Sequence, residues 1–467
     1  MIELPAEVLI NASDAQGGQG TADLGAGAVE WAKRQKLLAR QSVLAPAPRA
    51  DLGDWKSADV GWGIVLPHRA GMSGRDLARA ADAPPAIQQL LDARPGSPVL
   101  RYRKPGPKDK ATQPDRLIRY YEDGTKQDLT IGNGPFGTRE GQLPRYLLLV
   151  GGPDEIPWAV QFAANRRHFV GRLALDDAAL QRYVDRLLDD WAKHPPDTRQ
   201  ATVWNTSDDP MSLAMEAAIV DPLLEAMSHD GDIAVTRMSG ADATAERLGE
   251  AIRTSRPGLI ATVSHGRTGP VGDPVAMRAR LGVPVDASGD DIDVGAIASL
   301  CEISGAIWFA YACCSAGCDQ GSRFDGLLPE DSSAARIVSA VGTLGATIAP
   351  LPQRLLSADP PIAAFIGKIE PTFDWTLAEP DTGENVVLEL VDAVYPALFR
   401  PETIGLAFSD YFTGVGRLYG SASDARVDMD AEKPDAAARL VYYALTARDR
   451  ESLVVLGDPT VALPPLR

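Results

Sequence analysis

Short apolar runs alternate along the chain with longer stretches of helical spacing. Runs such as "RYLLLV", "GLIATVS" and "AIWFAYA" have few polar positions, which is typical of strands buried on both faces of a sheet. Between the runs, stretches such as "MSLAMEAAIVDPLLEAMSH" and "ATAERLGEAIRTS" place apolar residues on one face of a helix. Strands separated by helices pair in parallel, so the pattern predicts an α/β fold with a mostly parallel sheet between layers of helices.

The same pattern divides the chain into two parts. The segment "PPDTRQ" follows an amphipathic helix and is the candidate boundary, which gives residues 1–199 as a smaller α/β half and residues 200–467 as a larger one. Within the first half, "AEVLINA" predicts an early strand. Residues 101–140 contain Pro and Gly throughout and predict a segment rich in loops.

Composition and charge narrow the classes of function. The chain has 467 residues, enough for two or three domains, and 45 % hydrophobic residues, enough for a full core. Its net charge of −17 disfavours a nucleic-acid binder, because most of the surface would repel phosphates. No apolar run reaches the ~18 residues needed to cross a bilayer. The N-terminal sequence has early acidic residues and no basic region, so we expect a cytoplasmic protein without a membrane segment.

Two predicted strands end in residues that can carry chemistry. "GLIATVSHG" ends in His265 and Gly266, and "AIWFAYACC" ends in Cys313. Ligands bind at the carboxyl ends of parallel strands, so neighbouring strands would bring an imidazole and a thiol to one solvent-exposed edge of the sheet. A histidine can accept the thiol proton and later protonate a leaving amine. The backbone N–H groups of Gly266 and Cys313 could stabilise the oxyanion that forms.

These residues resemble the motifs of caspase-fold cysteine proteases. "SHG" and "YACCSAG" are similar to the His-Gly and Ala-Cys motifs of the bacterial CHAT proteases and their gingipain-like relatives. "RYLLLVGGPDEIP" and "VVLGDPTVALP" also resemble segments of these proteins, so the similarity covers residues 145–467. The resemblance implies a caspase-like α/β/α sandwich, with residues 200–467 as the catalytic domain and residues 1–199 as a noncatalytic half.

The resemblance also implies roles for single residues. Cys313 would be the nucleophile, His265 the general base, and Gly266 part of the oxyanion hole. The implied protein is a cysteine endopeptidase that needs no cofactor and cleaves a protein substrate in bacterial defence or regulated cell death, under a regulatory protein partner. In several related families an acid two residues before the cysteine recognises a basic substrate residue. Tyr311 stands at this position, so cleavage after Arg or Lys is not supported through it.

Two acids beyond the cysteine are candidates for substrate binding. Asp319 and Asp325 are the nearest carboxylates that could meet a basic substrate side chain, although acids of a solvated loop are the simpler interpretation. The loop that carries them is rich in Gly, Ser and Asp. We expect it to be either mobile or folded over the site.

Other interpretations of the cysteines and the histidine stay open. Cys313 and His265 could be core residues of a noncatalytic caspase-like scaffold that binds protein partners. Cys314 is interpreted as a packing residue, and as the nucleophile only in second place. The four cysteines, Cys301, Cys313, Cys314 and Cys318, could bind zinc, although the chain has no C-x-x-C pair and adjacent cysteines suit a tetrahedral site poorly.

The Gly-rich segment of residues 16–27 supports a third hypothesis. It follows a predicted strand and precedes a predicted helix, as a nucleotide-binding loop does. It lacks the G-K-[ST] ending of such loops, and a flexible surface loop is the simpler interpretation.

Overall fold

The structure of the protein is a computed structural model that describes residues 4–13, 19–34, 50–106, 114–300, 305–400 and 402–464. The strands in chain order are β1 (Val8–Ser13), β2 (Gln19–Ala22), β3 (Trp62–Pro67), β4 (Val99–Tyr102), β5 (Arg116–Tyr120), β6 (Lys126–Thr130), β7 (Tyr146–Val150), β8 (Phe169–Leu173), β9 (Asp197–Asn205), β10 (Ala234–Ser239), β11 (Pro257–Val263), β12 (Gly266–Arg267), β13 (Ile307–Tyr311), β14 (Gly317–Cys318), β15 (Thr347–Ile348), β16 (Ala364–Lys368) and β17 (Leu453–Gly457). The α-helices are α1 (Ala26–Arg34), α2 (Gly74–Ala78), α3 (Pro85–Ala93), α4 (Trp158–Asn165), α5 (Asp177–Leu188), α6 (Pro210–Met215), α7 (Asp221–Ser228), α8 (Ala245–Ser255), α9 (Pro274–Arg280), α10 (Val294–Leu300), α11 (Ser333–Gly342), α12 (Pro350–Leu356), α13 (Leu388–Asp392), α14 (Ile404–Ala407), α15 (Ser409–Asp430) and α16 (Ala436–Glu451). Short 3₁₀ segments lie at Gly240–Asp242 and Asp374–Thr376, and π-helical turns lie at Glu216–Val220 and Ala393–Ala397.

Most of these strands belong to one large sheet. It has twelve strands among the described residues, in the order β10-β9-β11-β13-β16-β17-β8-β7-β3-β4-β5-β6. The first five run parallel to one another. β17 is antiparallel to β16 and parallel to β8, so β8, β7, β3 and β4 continue the sheet in the opposite direction. The sheet is mostly parallel and the chain also contains many helices, which confirms the predicted α/β class.

Capping residues set the ends of the helices between parallel strands. α8 connects β10 to β11 and begins at Thr244, whose side chain accepts the backbone N–H of Arg247. Leu248 and Ile252 lie one helical turn apart and bury the same face of α8. The helix ends at Arg256 in the left-handed conformation, which turns the chain directly into β11. In the part of the chain that the structure describes, no helix combines the length and the apolar character needed to cross a membrane.

Residues 101–140 contain more regular structure than their sequence predicts. β5 and β6 form an antiparallel hairpin there, with Gly124 in the left-handed region at its turn. β6 is an edge strand with the sequence "KQDLT", in which Leu129 is the buried position. Because a strand at the edge of a sheet needs few apolar residues, the hydrophobic pattern does not reveal it.

The boundary predicted between residues 199 and 200 lies within β9. One buried apolar cluster extends from Trp62 of β3 through Tyr146 of β7 to Trp204 of β9. The sheet and its core therefore continue across this point of the sequence. The division into a noncatalytic and a catalytic half stays a prediction.

A smaller sheet with the order β12-β1-β2 lies at the carboxyl end of β11. β1 forms where "AEVLINA" predicts the early strand, and it pairs in parallel with β12 and antiparallel with β2. β2 lies within the Gly-rich segment, and Gly20 packs so closely on Ile10 that a β-carbon at Gly20 would collide with it. The expectation of a flexible surface loop is therefore wrong for residues 19–22. A strand between β1 and α1 also departs from the strand–loop–helix order of a phosphate-binding loop; residues 16–18 lie outside the described residues.

The N-terminal and C-terminal elements form a second buried cluster over this part of the sheet. Trp31 of α1 donates its indole N–H to the carbonyl of Arg323 at 2.9 Å and packs on the ring of Phe324. The cluster also contains residues of β1, α11, α15 and α16. These elements together enclose the carboxyl end of β13.

We predict that Gly171→Ala destabilises the fold at the junction of β8 and β17. A β-carbon at Gly171 would collide with the carbonyl oxygen of Gly457, and backbone atoms of a sheet cannot easily move away. We expect a loss of about 1–3 kcal/mol in the free energy of unfolding, measured by urea denaturation.

Gly416→Ala in α15 is the matched control. A β-carbon at Gly416 meets no neighbour within 4 Å outside its own helix, so alanine should stabilise the protein by about 0.5–1 kcal/mol. Equal effects of the two substitutions would contradict the close packing of β8 on β17.

Candidate active site

The carboxyl ends of β11 and β13 lie side by side. The two strands pair in parallel, and Val263 lies opposite Tyr311 at their last paired position. The N–H of Ser264 donates to the carbonyl of Tyr311 at 3.3 Å, which extends the pairing beyond the strands. His265 and Cys313 each follow two residues after that last pair. The expected adjacency of the two strand ends is confirmed.

Gly266 is in direct contact with the backbone of Cys313. A β-carbon at Gly266 would collide with the carbonyl oxygen of Cys313 and would lie 2.9 Å from its backbone nitrogen. Only glycine fits at such a distance, because any other residue would push the two segments apart. The contact brings together the two residues whose N–H groups are predicted to form an oxyanion hole. That role stays a prediction.

Asp209 holds the imidazole of His265. The Nε2 atom of His265 lies 2.7 Å from Oδ2 of Asp209, while Oδ1 of Asp209 accepts the N–H groups of Met211 and Ser212 as the cap of α6. Burial raises the pKa of Asp209, but the hydrogen bond from His265 and the two backbone N–H groups outweigh burial and lower the pKa to about 2. Asp209 is therefore ionised at neutral pH.

This hydrogen bond fixes which ring nitrogen of His265 is available. An ionised carboxylate only accepts hydrogen bonds, so Nε2 carries the proton. Nδ1 is buried and has no hydrogen-bond partner among the described residues. The carbonyl of His265 accepts the N–H of Val285 at 3.0 Å and thereby holds the backbone. The ring can therefore accept a proton at Nδ1.

Asp209 is a site residue that the sequence analysis missed. It lies 56 residues before His265, and it reaches the histidine because β9 is the neighbour of β11 in the sheet. The signal that could have identified it is "DDP" after a predicted strand, since an aspartate followed by Pro210 is typical of a helix start.

Cys313 is buried rather than exposed. Its side chain is 0 % exposed, and its Sγ lies 3.5 Å from Sγ of Cys314. The expectation of a solvent-exposed strand end is therefore wrong, because the second apolar cluster covers this edge of the sheet. A thiol in this place is enclosed until some covering element moves.

Cys314 has a different environment from its neighbour. β13 ends at Tyr311, and Cys314 has a left-handed backbone with φ of 54°. The hydrogen bond with Cys313 and burial raise the pKa of the Cys314 thiol well above its ordinary value. The interpretation of Cys314 as a packing residue stays a prediction.

A buried ion pair supports the segment that follows β16. The ammonium of Lys368, at the end of β16, donates a hydrogen bond to Oδ1 of Asp449 in α16 at 3.2 Å. The same carboxylate accepts the hydroxyl groups of Thr372 at 2.8 Å and Thr376 at 3.0 Å. All four residues are buried, so these bonds satisfy groups that would otherwise be costly to bury. They fix residues 368–376 beside the carboxyl end of β13.

Asp319 already lies near cations of the chain itself. Burial raises the pKa of its carboxyl, while the N–H of Gln320 and the charges of Arg323 and Arg172 oppose that shift. Asp325 is exposed on the same loop. A role of either acid in binding a basic substrate residue stays a prediction.

The loop that follows Cys318 is packed against the protein. Phe324, Leu327 and Leu328 are buried in the second cluster with Cys313. Glu370 accepts the N–H of Arg323 from this loop at 3.2 Å. Of the two expected arrangements, the packed one is therefore observed.

Metal ligands are not grouped at this site. Among the described residues, no set of three or more His, Cys, Asp or Glu side chains lies close enough to hold a metal ion. Cys301, which the zinc hypothesis includes, lies outside the described residues.

No protein-family model and no curated protein matches the sequence. Among solved structures, the protein is similar to a chain of the Saccharomyces cerevisiae separase–securin complex, with a TM-score of 0.31 and 11 % identity over 72 % of the protein. The protein spans 16 % of the length of that chain. A similarity this weak does not identify the fold or the activity, and the CHAT and gingipain-like resemblance still rests on the sequence motifs.

We predict that Asp209→Asn destabilises the protein in a pH-dependent way. Asparagine is as good a helix cap as aspartate but carries no charge for His265. Because the pKa of Asp209 lies below its ordinary value, its contribution is complete above about pH 4 and is lost as the pH falls toward 2. We expect the variant to be about 1–2 kcal/mol less stable than the wild type at pH 6, with the gap shrinking below pH 4.

Urea denaturation of both proteins from pH 6 to pH 3 measures this difference. A gap of constant size over that range would show that the ionised carboxylate does not stabilise the folded state.

Proposed function

We propose that the protein is a cysteine endopeptidase of caspase-like fold, with Cys313 as the nucleophile and His265 as the general base. The observation that carries the proposal is the backbone contact between Gly266 and Cys313, which holds a histidine and a cysteine at adjoining strand ends. The unpartnered Nδ1 of His265 supports it, because the ring can then take a proton while Asp209 holds Nε2.

In the proposed reaction, Nδ1 of His265 takes the proton of the Cys313 thiol, and the thiolate attacks the carbonyl carbon of the substrate peptide bond. The N–H groups of Gly266 and Cys313 stabilise the oxyanion of the tetrahedral intermediate. His265 then donates the proton to the leaving amine, and the acyl-enzyme remains. Water hydrolyses the acyl-enzyme and restores the free thiol. Asp209 stabilises the imidazolium and orients the ring, so it is a positioning residue.

The proposed domain arrangement, substrate, partner and cellular role rest on the sequence resemblance. It supports a caspase-like α/β/α sandwich with residues 200–467 as the catalytic domain, a protein substrate, and control by a regulatory protein partner. It also supports a cytoplasmic role in bacterial defence or regulated cell death. Tyr311, which is buried, stands where related families have an acid, so recognition of Arg or Lys through this position is not part of the proposal.

A noncatalytic scaffold that binds protein partners is the second candidate. The enclosed thiol of Cys313 favours it, because a buried cysteine in an apolar cluster is more often a packing residue. The scaffold hypothesis also predicts that His265 and Cys313 lie apart, and the adjacent strand ends argue against that.

We predict that Cys313→Ala abolishes peptide cleavage and that Cys314→Ala retains most of it. Products from a proteome-derived peptide library, identified by mass spectrometry after long incubation, measure the activity of each variant. His265→Ala should reduce the rate by about 10²–10⁴-fold, because it removes the general acid and base.

Thermal unfolding serves as the control for folding in these variants. The alanine at residue 313 removes one buried sulfur atom and should cost no more than about 1–2 kcal/mol. An inactive Cys314→Ala beside an active Cys313→Ala would assign the nucleophile to Cys314 and contradict the proposal.

A further inference from the structure

The N-terminal strand β1 runs across the candidate active site. Along one edge, Ile10 forms an antiparallel bridge to Phe373, and Ala12 then pairs in parallel with Gly266. The other edge of β1 pairs with β2. One edge of β1 therefore contacts first the segment that follows β16 and then the segment that follows β11.

The strand between these two anchor points is β13. Its place in the order β11-β13-β16 puts its carboxyl end under the middle of β1. Val8, Ile10 and Ala12 alternate along β1, are each 0 % exposed, and share a buried cluster with Cys313. β1 is therefore part of the buried layer that covers the candidate nucleophile.

The backbone of Asn11 is fixed at the centre of this crossing. Its N–H donates to the carbonyl of Thr372 at 3.1 Å, and its side-chain Oδ1 accepts the N–H of Thr372 at 2.9 Å. Asn11 is 0 % exposed. One backbone hydrogen bond and one side-chain hydrogen bond thus join this extended segment to residue 372, and the backbone bond is of the kind that an added strand forms with a sheet edge.

The register of β1 also determines what faces Gly266. The N–H of Thr268 donates to the carbonyl of Ser13 at 3.1 Å. Along one side of a parallel ladder every second residue forms such bonds. With Ala12 opposite Gly266, this alternation directs the N–H of Gly266 at the carbonyl oxygen of Asn11.

We propose that β1 occupies the groove in which the protein binds its peptide substrate, with the Asn11–Ala12 bond in the place of the bond to be cut. This inference rests on the proposed function, in which the N–H of Gly266 stabilises the oxyanion. The carbonyl that this N–H faces is that of Asn11, and the thiol of Cys313 lies in the same buried cluster. The N-terminal strand is an internal, substrate-like occupant that keeps the protease latent.

The occupant also defines the class of substrate. It binds as an extended strand, antiparallel to the segment that follows β16, with a small uncharged polar residue before the cut bond. The site around Asn11 is closed, and a long cationic side chain would lose its hydration there without an acid to pair with at residue 311. Peptides with a small uncharged polar residue such as Asn before the cleaved bond therefore fit this site better than peptides with Arg or Lys.

The hairpin is attached outside the twelve-stranded sheet. β12 contributes two residues to the pairing with β1, and β2 is attached to α11 through hydrogen bonds between the backbone of Thr21 and the hydroxyl of Ser333. A short hairpin of this kind can open locally while the large sheet stays folded. A substrate enters the groove after that opening.

Alkylation of Cys313 tests whether β1 covers the thiol. Ile10→Asn places an amide in the buried face of β1 and should loosen the hairpin, whereas Asn11→Ala removes only the bond to the N–H of Thr372. Iodoacetamide labelling at residue 313, followed by mass spectrometry, should be at least about tenfold faster in Ile10→Asn than in the wild type, with a smaller increase in Asn11→Ala.

Ile87→Asn in α3 is the matched control, because Ile87 is equally buried but belongs to the other cluster, away from the site. Circular dichroism shows whether each variant is folded, and Asn11→Ala carries the test if Ile10→Asn does not fold. Fast labelling of Cys313 in the wild type, or equal labelling in Ile87→Asn and the β1 variants, would overturn the proposal.

Fluorogenic peptides separate this inference from the proposed function. Matched peptides with Asn, Asp or Arg before the cut bond should be hydrolysed faster by the β1 variants than by the wild type, with Asn preferred. Equal hydrolysis by the wild type would overturn the latency while leaving the protease intact. Faster labelling of Cys313 without any hydrolysis would support the covering strand and contradict the endopeptidase.

Discussion

The close approach of two backbones at Gly266 and Cys313 is the constraint on which the rest of the site depends. A β-carbon at residue 266 would collide with the carbonyl of Cys313, so the carboxyl ends of β11 and β13 can meet only through a glycine. This contact sets a histidine beside a cysteine without any direct bond between their side chains. β9 adds the carboxylate of Asp209, which fixes the ring and leaves Nδ1 free to accept a proton. Three neighbouring strands thus supply the proposed nucleophile, the proposed base and the carboxylate that would position the base.

The N-terminal strand β1 lies over this same edge of the sheet. β1 contacts the segments after β16 and β11, which flank the end of β13, and the thiol between them is fully buried. The burial of Cys313 alone would favour a packing role. The register of β1 directs the carbonyl of Asn11 at the N–H of Gly266, and the N–H of Asn11 donates to the carbonyl of Thr372. A bound substrate strand would need these same backbone groups, so the burial of Cys313 also fits an occupied substrate groove. Burial and catalysis are compatible if the covering strand can leave.

The sequence predicted the local parts of this arrangement better than the long-range ones. Continuous apolar runs indicated β11 and β13, and the position of His265 and Cys313 at their ends indicated the edge where they meet. The Asp209–His265 bond was not predictable from spacing, because it depends on β9 lying beside β11. The crossing of β1 joins residues more than two hundred positions apart, and β6 is too polar to show a strand pattern. Local periodicity carries none of this information.

The structure of a covalent adduct would test the central claim most directly. The ligand is a peptidyl ketone with Asn before the reactive carbonyl, bound to the Ile10→Asn variant. The account predicts a bond from Sγ of Cys313 to the ligand, the ligand oxygen on the N–H of Gly266, and the ligand backbone paired with Thr372 in place of β1. An adduct on Cys314 or Cys318, or a ligand bound elsewhere while β1 keeps its place, would contradict the account.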